Sequence, residues 1–328
     1  MLRILLIALL AVCPCAFAQN PPPILSPSSP PPPPSTPQSP DHRLKANVDL
    51  VVLHVTVTDE KGQFVSDLKE SSFRVFENKA EQKISFFSRD DIPVTMGLVI
   101  DNSGSMREKR AQVNAAAMTF VRTSNPHDEA FVVNFNDEYY LDTDGDFTSE
   151  QKDLNEALSR IDTRGSTALY DAVIGSLAHL KKGHKDKRVL LVVTDGDDDA
   201  SEKSFEDAVK AAEQSNATIY TVGVFSQDDL KTDKKMVRHS KKVLKELSEA
   251  TGGQAYFPDN LEDVTPVCEK IAQEIRNQYT IGYYPTDTAK DGSFRTVALK
   301  VIPPDGRGKL LLRTRTGYYA PKASSSGD

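Results

Sequence analysis

Val94-Thr95-Met96-Gly97-Leu98-Val99-Ile100-Asp101-Asn102-Ser103-Gly104-Ser105-Met106 is the stretch on which the fold turns. Its mostly apolar first seven residues are long enough for a strand and too short for a typical helix, so they read as a strand buried on both faces. The run then breaks into Asp101-Asn102-Ser103-Gly104-Ser105, which sets a carboxylate and two hydroxyls at every second position. Such a compact array of hard oxygens suits a divalent cation. The same residues could also serve as an ordinary helix N-cap.

Outward from this stretch, between about Asp91 and Asn277, the sequence alternates strand and helix patterns. Strands are expected at Val94–Ile100, Ala130–Phe135, Val189–Thr194, Thr218–Val224 and Gln254–Phe257. Helices are expected near Arg107–Arg122, Glu150–Arg160, Leu169–Leu180, Ser204–Ser215, Val243–Ala250 and Leu261–Arg276. Val113, Ala117, Phe120 and Val121 fall along one helical face, the spacing of a helix packed on a sheet. The alternation implies an α/β domain with a doubly wound, mostly parallel sheet, which places ligands beyond the carboxyl ends of the strands.

Three segments fall at such loop positions. They are Asp101 to Ser105, Gly165-Ser166-Thr167-Ala168-Leu169-Tyr170-Asp171, and Asp195-Gly196 directly after the strand Val189–Thr194. Thr167 alone could be a cap and Asp195-Gly196 alone a turn. Their joint occurrence in this order resembles the von Willebrand factor type A domain with a complete metal-ion-dependent adhesion site, whose five positions Asp101, Ser103, Ser105, Thr167 and Asp195 match. The resemblance covers about Asp91 to Asn277. It implies a divalent cation, Mg²⁺ by default because of its octahedral oxygen preference, with Mn²⁺ or Ca²⁺ as alternatives. The family's carboxylates often act through water, which leaves the metal short of one oxygen. A protein partner's Asp or Glu can complete the shell, so binding and not catalysis is the implied output. The family's last helix can also shift, and here Leu261–Arg276 runs almost directly into a strand pattern.

The sequence admits other readings as well. Asp197, Asp198 and Asp199 form an acidic rim that is either a solvated turn or a contributor to cation or partner discrimination. Asp142, Asp144 and Asp146 resemble the opening of a calcium loop, but Phe147 stands where Gly is needed and Asp153 where the closing Glu belongs. The sequence has no H-E-x-x-H, G-x-S-x-G, Walker A or G-x-G-x-x-G motif, and its six histidines show no ligand spacing. A metal-assisted hydrolase at the five-residue site stays as a lesser alternative, lacking a second metal and an evident general base.

The flanks read differently. Leu53, Val55 and Val57 alternate with polar residues, Asp59-Glu60-Lys61-Gly62 reads as a turn, and Phe73–Phe76 and Ile84–Phe86 supply short strands. Gln278–Tyr284, Phe294–Ile302 and Lys309–Thr316 read as strands at the other end. Together the flanks are expected to form one small β-sandwich-like module, with the α/β domain inserted in it. The flanks, with Arg315-Thr316-Gly317-Tyr318-Tyr319, also resemble a bacterial exported subgroup of type A proteins. The organisation expected is a signal peptide at 1–18, a Pro-rich linker at 19–44, β-module segments at 45–90 and 278–320 around a type A domain at 91–277, and a disordered tail at 321–328. An alternative function is structural, an assembly role in the cell envelope exercised through the β-module.

Arg3, the apolar run Ile4–Val12 and Ala16-Phe17-Ala18 form a secretory signal with an A-x-A cleavage pattern, so the protein is expected to be exported, to periplasm, surface or medium. A lipoprotein box at Leu10-Ala11-Val12-Cys13 fits less well because of Val12. Asn20–Pro40 holds 11 of the 20 prolines and should be extended, roughly 60 Å at ~3 Å per residue. No later stretch is apolar enough to span a membrane. Cys268 would be the single cysteine of the mature chain, on the buried face set by Val264, Val267, Ile271 and Ile275, and is expected to be a structural thiol. A formal charge of −7 over 328 residues argues against a general nucleic-acid binder. The basic runs Lys181–Arg188 and Lys231–Lys242 read as solvated helix ends and loops.

Overall fold

The computed structural model describes residues 50–160, 163–196 and 198–323. The expected signal peptide and linker, Asp197, and residues 324–328 lie outside the described residues.

The chain enters through four strands, β1 (Val51–Asp59), β2 (Phe73–Glu77), β3 (Ala80–Gln82) and β4 (Ile84–Ser88). It then builds the inserted α/β domain from β5 (Val94–Asp101), α1 (Arg110–Thr123), β6 (Glu129–Phe135), β7 (Tyr139–Leu141), α2 (Gln151–Leu158), α3 (Leu169–Leu180), β8 (Lys187–Thr194), α4 (Phe205–Gln214), β9 (Ala217–Gly223), α5 (Gln227–Thr232), α6 (Lys234–Ala250), β10 (Ala255–Tyr256) and α7 (Val264–Arg276). It returns through β11 (Tyr279–Tyr283), β12 (Phe294–Val301), β13 (Leu310–Arg313) and β14 (Gly317–Tyr319).

The inserted domain is a six-stranded sheet in the order β10-β9-β8-β5-β6-β7, parallel except for the antiparallel edge strand β7. Every residue of β5 is buried, as a central strand covered on both faces requires. Its alternation feeds two cores. Met96, Leu98 and Ile100 pack with Val113 and Phe120 of α1 and with Cys268 and Ile271 of α7. Val99, with Phe131 of β6, packs with Val173 and Leu177 of α3 and Leu244 and Leu247 of α6 on the other face. β5 lies between β8 and β6, so the chain leaves it in one direction and later returns on its other side. That reversal opens a crevice at the carboxyl end of β5 and β8.

The flanks form two antiparallel sheets, β13-β1-β11-β4 and β14-β12-β2-β3. Leu53, Val55 and Val57 of β1, Phe73 and Val75 of β2, Tyr279 and Ile281 of β11 and Val297 of β12 share one core, so the two sheets pack face to face as a sandwich. Each sheet draws strands from both ends of the chain, and β1 pairs with β11 from Val51↔Tyr283 to Val55↔Tyr279. Two residues separate α7 from β11. Backbone order continues past 320, where Lys322 bridges Asp291 and the Ala323 N–H reaches the Lys290 carbonyl.

Several elements differ from the sequence reading. α6 begins at Lys234, not Val243, because Asp233 caps it through the Met236 N–H and Val237 and Ser240 extend the buried stripe backwards. Much of the basic run Lys231–Lys242 is thus one helix with its charges on the outer face. Lys187, expected to be solvated, is 4% exposed at the start of β8 and donates to the Ile275 carbonyl. α5, β7 and β14 were not anticipated. Among the described residues no helix is long and apolar enough to cross a membrane.

Candidate metal-binding site

The three loops singled out in the sequence meet at the carboxyl end of the inserted sheet. Asp101 ends β5 and Asp195 follows β8, adjacent strands in register from Val94↔Lys187 to Ile100↔Val193. The Gly104 N–H donates to the Gly165 carbonyl at 3.2 Å, tying the first loop to the one that carries Thr167. The Asp199 and Ala200 N–H groups donate to the Thr167 carbonyl at 3.1 and 3.2 Å, tying in the third.

Within the first loop the Ser103 and Ser105 hydroxyls lie 3.1 Å apart. Asp101 is fully buried, Ser103, Thr167 and Asp195 are buried, and Ser105 is exposed. Four of the five side chains are thus enclosed, and Ser105 is the one at the surface. Asp101 accepts the Ser103 N–H on Oδ1 at 2.8 Å and the Thr194 hydroxyl on Oδ2 at 2.5 Å. Both oxygens are already engaged, which suits a carboxylate that reaches an ion through water. Burial, and next to it the charge of Asp195, pushes the Asp101 carboxyl up to about 6, with its hydrogen bonds from Ser103 and Thr194 opposing the rise. Two buried carboxylates that repel one another, together with three hydroxyls, are a donor set that a hard divalent cation fits.

The chain supplies two cations of its own. Lys109 places Nζ 3.4 Å from Asp195 Oδ2 and 3.6 Å from Asp229 Oδ2. Arg110, 1% exposed, donates to Asn134 Oδ1, while its Nε and Nη1 have no hydrogen-bond partner among the described residues. Burial lowers the Arg110 guanidinium to about 10, against the pull of Asp101 and Asp142.

Sequence reasoning overlooked the groups that position Thr167. Asp199 accepts the Thr167 N–H at 2.7 Å, Asp198 accepts the Tyr170 N–H at 3.0 Å, and Asp137 accepts the Ser166 N–H at 2.8 Å. Two members of the acidic rim thus hold the second loop in place. The three acids of the calcium-loop motif are engaged elsewhere: Asp144 pairs with Arg160, Asp146 with Lys182 and His179, and Asp142 accepts from Asn134. Among the described residues no group of three or more His, Cys, Asp or Glu is gathered for a metal, and the five-residue set contributes only two such side chains. Cys268 is buried and has no disulfide partner among the described residues, and burial pushes its thiol up to about 12.

Residues 96–197 match the family model of the von Willebrand factor type A domain, and the chain carries a domain of that class. The matched residues lie within the α/β domain inserted between the two halves of the β-sandwich. Similar solved structures include a von Willebrand factor type A protein from Catenulispora acidiphila, at 10% identity over 86% of this chain and 76% of that one, with a TM-score of 0.49. The von Willebrand domain of the type V pili tip protein Mfa5 from Porphyromonas gingivalis is 12% identical over 56% of this chain and 95% of that one, with a TM-score of 0.46. The PilB minor pilin from Streptococcus sanguinis is 12% identical over 57% and 62%, with a TM-score of 0.44. No curated protein matches the sequence.

Proposed function

We propose that this chain is an exported, metal-dependent protein-binding module. A divalent cation, Mg²⁺ by preference, is held by Asp101, Ser103, Ser105, Thr167 and Asp195, and it supplies an electrophilic coordination position for an Asp or Glu carboxylate of a protein partner. The observation that supports this most is the joining of the three loops. Backbone hydrogen bonds tie the loops of Asp101, Thr167 and Asp195 together at one end of the sheet, with Asp101, Ser103, Thr167 and Asp195 buried and Ser105 exposed. The chain's own groups set the shape: Thr194 and the Ser103 N–H orient Asp101, and Asp199 orients Thr167. Export rests on the N-terminal signal pattern.

A structural role exercised through the β-sandwich is the second reading. It is favoured by Val52, Phe86 and Leu311, which stand 38%, 47% and 46% exposed on that module. The test is crosslinking capture from the native envelope by the full chain, with Mg²⁺ or with EDTA, using wild type and Asp101→Ala. Partners captured only by wild type with Mg²⁺ support the adhesion reading. If EDTA and Asp101→Ala leave capture unchanged, that reading is lost, and metal-dependent melting alongside unchanged capture favours the structural one.

A further inference from the structure

We infer that Lys109 is the resident cation of the candidate metal site, holding Asp195 when no metal is bound and transferring to Asp229 when a divalent ion arrives. The inference rests on the metal reading of the five residues above.

The geometry places one ammonium between two carboxylates of different kinds. Lys109 is 8% exposed, and Nζ lies 3.4 Å from Asp195 Oδ2, a proposed ligand, and 3.6 Å from Asp229 Oδ2, which is not one. Both ends of this bridge are fixed. The Lys109 N–H donates to the Met106 carbonyl at 2.9 Å, and its own carbonyl accepts the Val113 N–H at 3.1 Å as α1 begins. Asp229 accepts the Ser226 N–H at 2.8 Å and returns its own N–H to the Ser226 hydroxyl at 3.0 Å, in the capping box of α5.

Two buried carboxylates without a countercharge would be costly, and Lys109 supplies one from the side of Asp195. A divalent ion replaces that charge with a larger one of the same sign. The ammonium is then repelled, and Asp229 is close enough to take it without Lys109 leaving the site. Lys109 therefore competes with metal, and α5, through Asp229, gains the ammonium that Asp195 gives up. A lysine that only packed would stabilise the metal-free and metal-loaded forms alike.

The experiment is Mg²⁺ titration by calorimetry, with melting in EDTA and in Mg²⁺, on the full chain as wild type, Lys109→Met and Asp229→Asn. Removing the ammonium should tighten Mg²⁺ binding about tenfold, lower the melting temperature in EDTA, and enlarge the rise on adding Mg²⁺. Asp229→Asn removes the alternative partner and should weaken Mg²⁺ binding several-fold, which tests the idea even if Lys109→Met does not fold. Unchanged or weaker binding in Lys109→Met, or unchanged binding in Asp229→Asn, overturns the role of Lys109. A wild-type chain that neither binds Mg²⁺ nor melts differently in it overturns the metal reading itself, and Lys109's role with it.

Discussion

Arg313, from strand β13 of the sandwich, donates Nη2 to the buried carboxylate of Glu274 on α7, the last helix of the inserted domain. Glu274 is 1% exposed and also accepts hydrogen bonds from Thr56 of β1 at 3.0 Å, Tyr220 of β9 at 2.8 Å and Tyr256 of β10 at 3.2 Å. One carboxylate thus gathers donors from both sandwich strands and sheet strands of the inserted domain. Burial, and next to it the charge of Glu274, raises the phenols of Tyr220 and Tyr256 well above their ordinary value, so both stay protonated donors. α7 is fixed to the sandwich by chemistry as well as by its two-residue connection to β11.

Truncating Glu274 should accordingly destabilise the whole chain. Glu274→Ala leaves a largely buried guanidinium and three hydroxyls without their acceptor, a loss of about 3–5 kcal/mol by comparison with other broken buried pairs. Glu274→Gln keeps one acceptor oxygen and should lose less. Urea unfolding followed by far-UV dichroism measures both, and a Glu274→Ala transition within about 0.5 kcal/mol of wild type would show that the network contributes nothing net.

Such a network is also the kind of feature a sequence conceals. The alternating strands and helices were legible because β5 and β8 are buried on both faces and read as continuous apolar runs, while α1 and α7 carry helical stripes. The loop positions of Asp101, Thr167 and Asp195 followed from that alternation. What could not be read depends on tertiary placement. Lys109 and Arg110 lie in Arg107-Glu108-Lys109-Arg110, which looks like any solvated helix start, yet both are buried, Lys109 against Asp195 and against Asp229 of α5, and Arg110 against Asn134 of β6. Asp199 looks like one of three interchangeable acids until its hydrogen bond to Thr167 is seen. Lys187 sits within a basic run, and the polar Ser240 breaks the apolar pattern ahead of Val243 although it is buried in α6.

Gly165 offers a test of how tightly the second loop is built. Its φ of +72° lies in the left-handed region, and a Cβ there would stand 2.0 Å from Asp137 Oδ2, the carboxylate whose other oxygen accepts the Ser166 N–H. Gly165→Ala should lose about 2 kcal/mol or more, from the backbone conformation and from the displaced Asp137. In an Asp137→Ala background the steric part disappears, so the same substitution should cost less there. Urea midpoints of the four chains form a double-mutant cycle, and an equal cost in both backgrounds would assign the whole effect to backbone conformation.

Acid should act on this protein through Asp128, 8% exposed at the start of β6, which accepts the Val94 N–H at 2.7 Å and the Asn125 N–H at 2.9 Å. Burial pushes its carboxyl up to about 6 from an ordinary 3.8, against the pull of those two hydrogen bonds. Between these values the native chain holds a proton that the unfolded chain has released. Stability from this group is therefore fully present below its ordinary value and is lost as pH rises through about 6, by on the order of 2 kcal/mol across that window. Asp128→Asn keeps a side-chain carbonyl to accept one of the N–H groups and removes the titration. In EDTA, where the raised Asp101 contributes equally to both chains and cancels in the comparison, wild type should lose stability relative to Asp128→Asn as pH climbs through that window. Urea unfolding of the two chains from about pH 4 to about pH 7 reads the difference directly, and parallel profiles would show that Asp128 is ionised in the native state throughout.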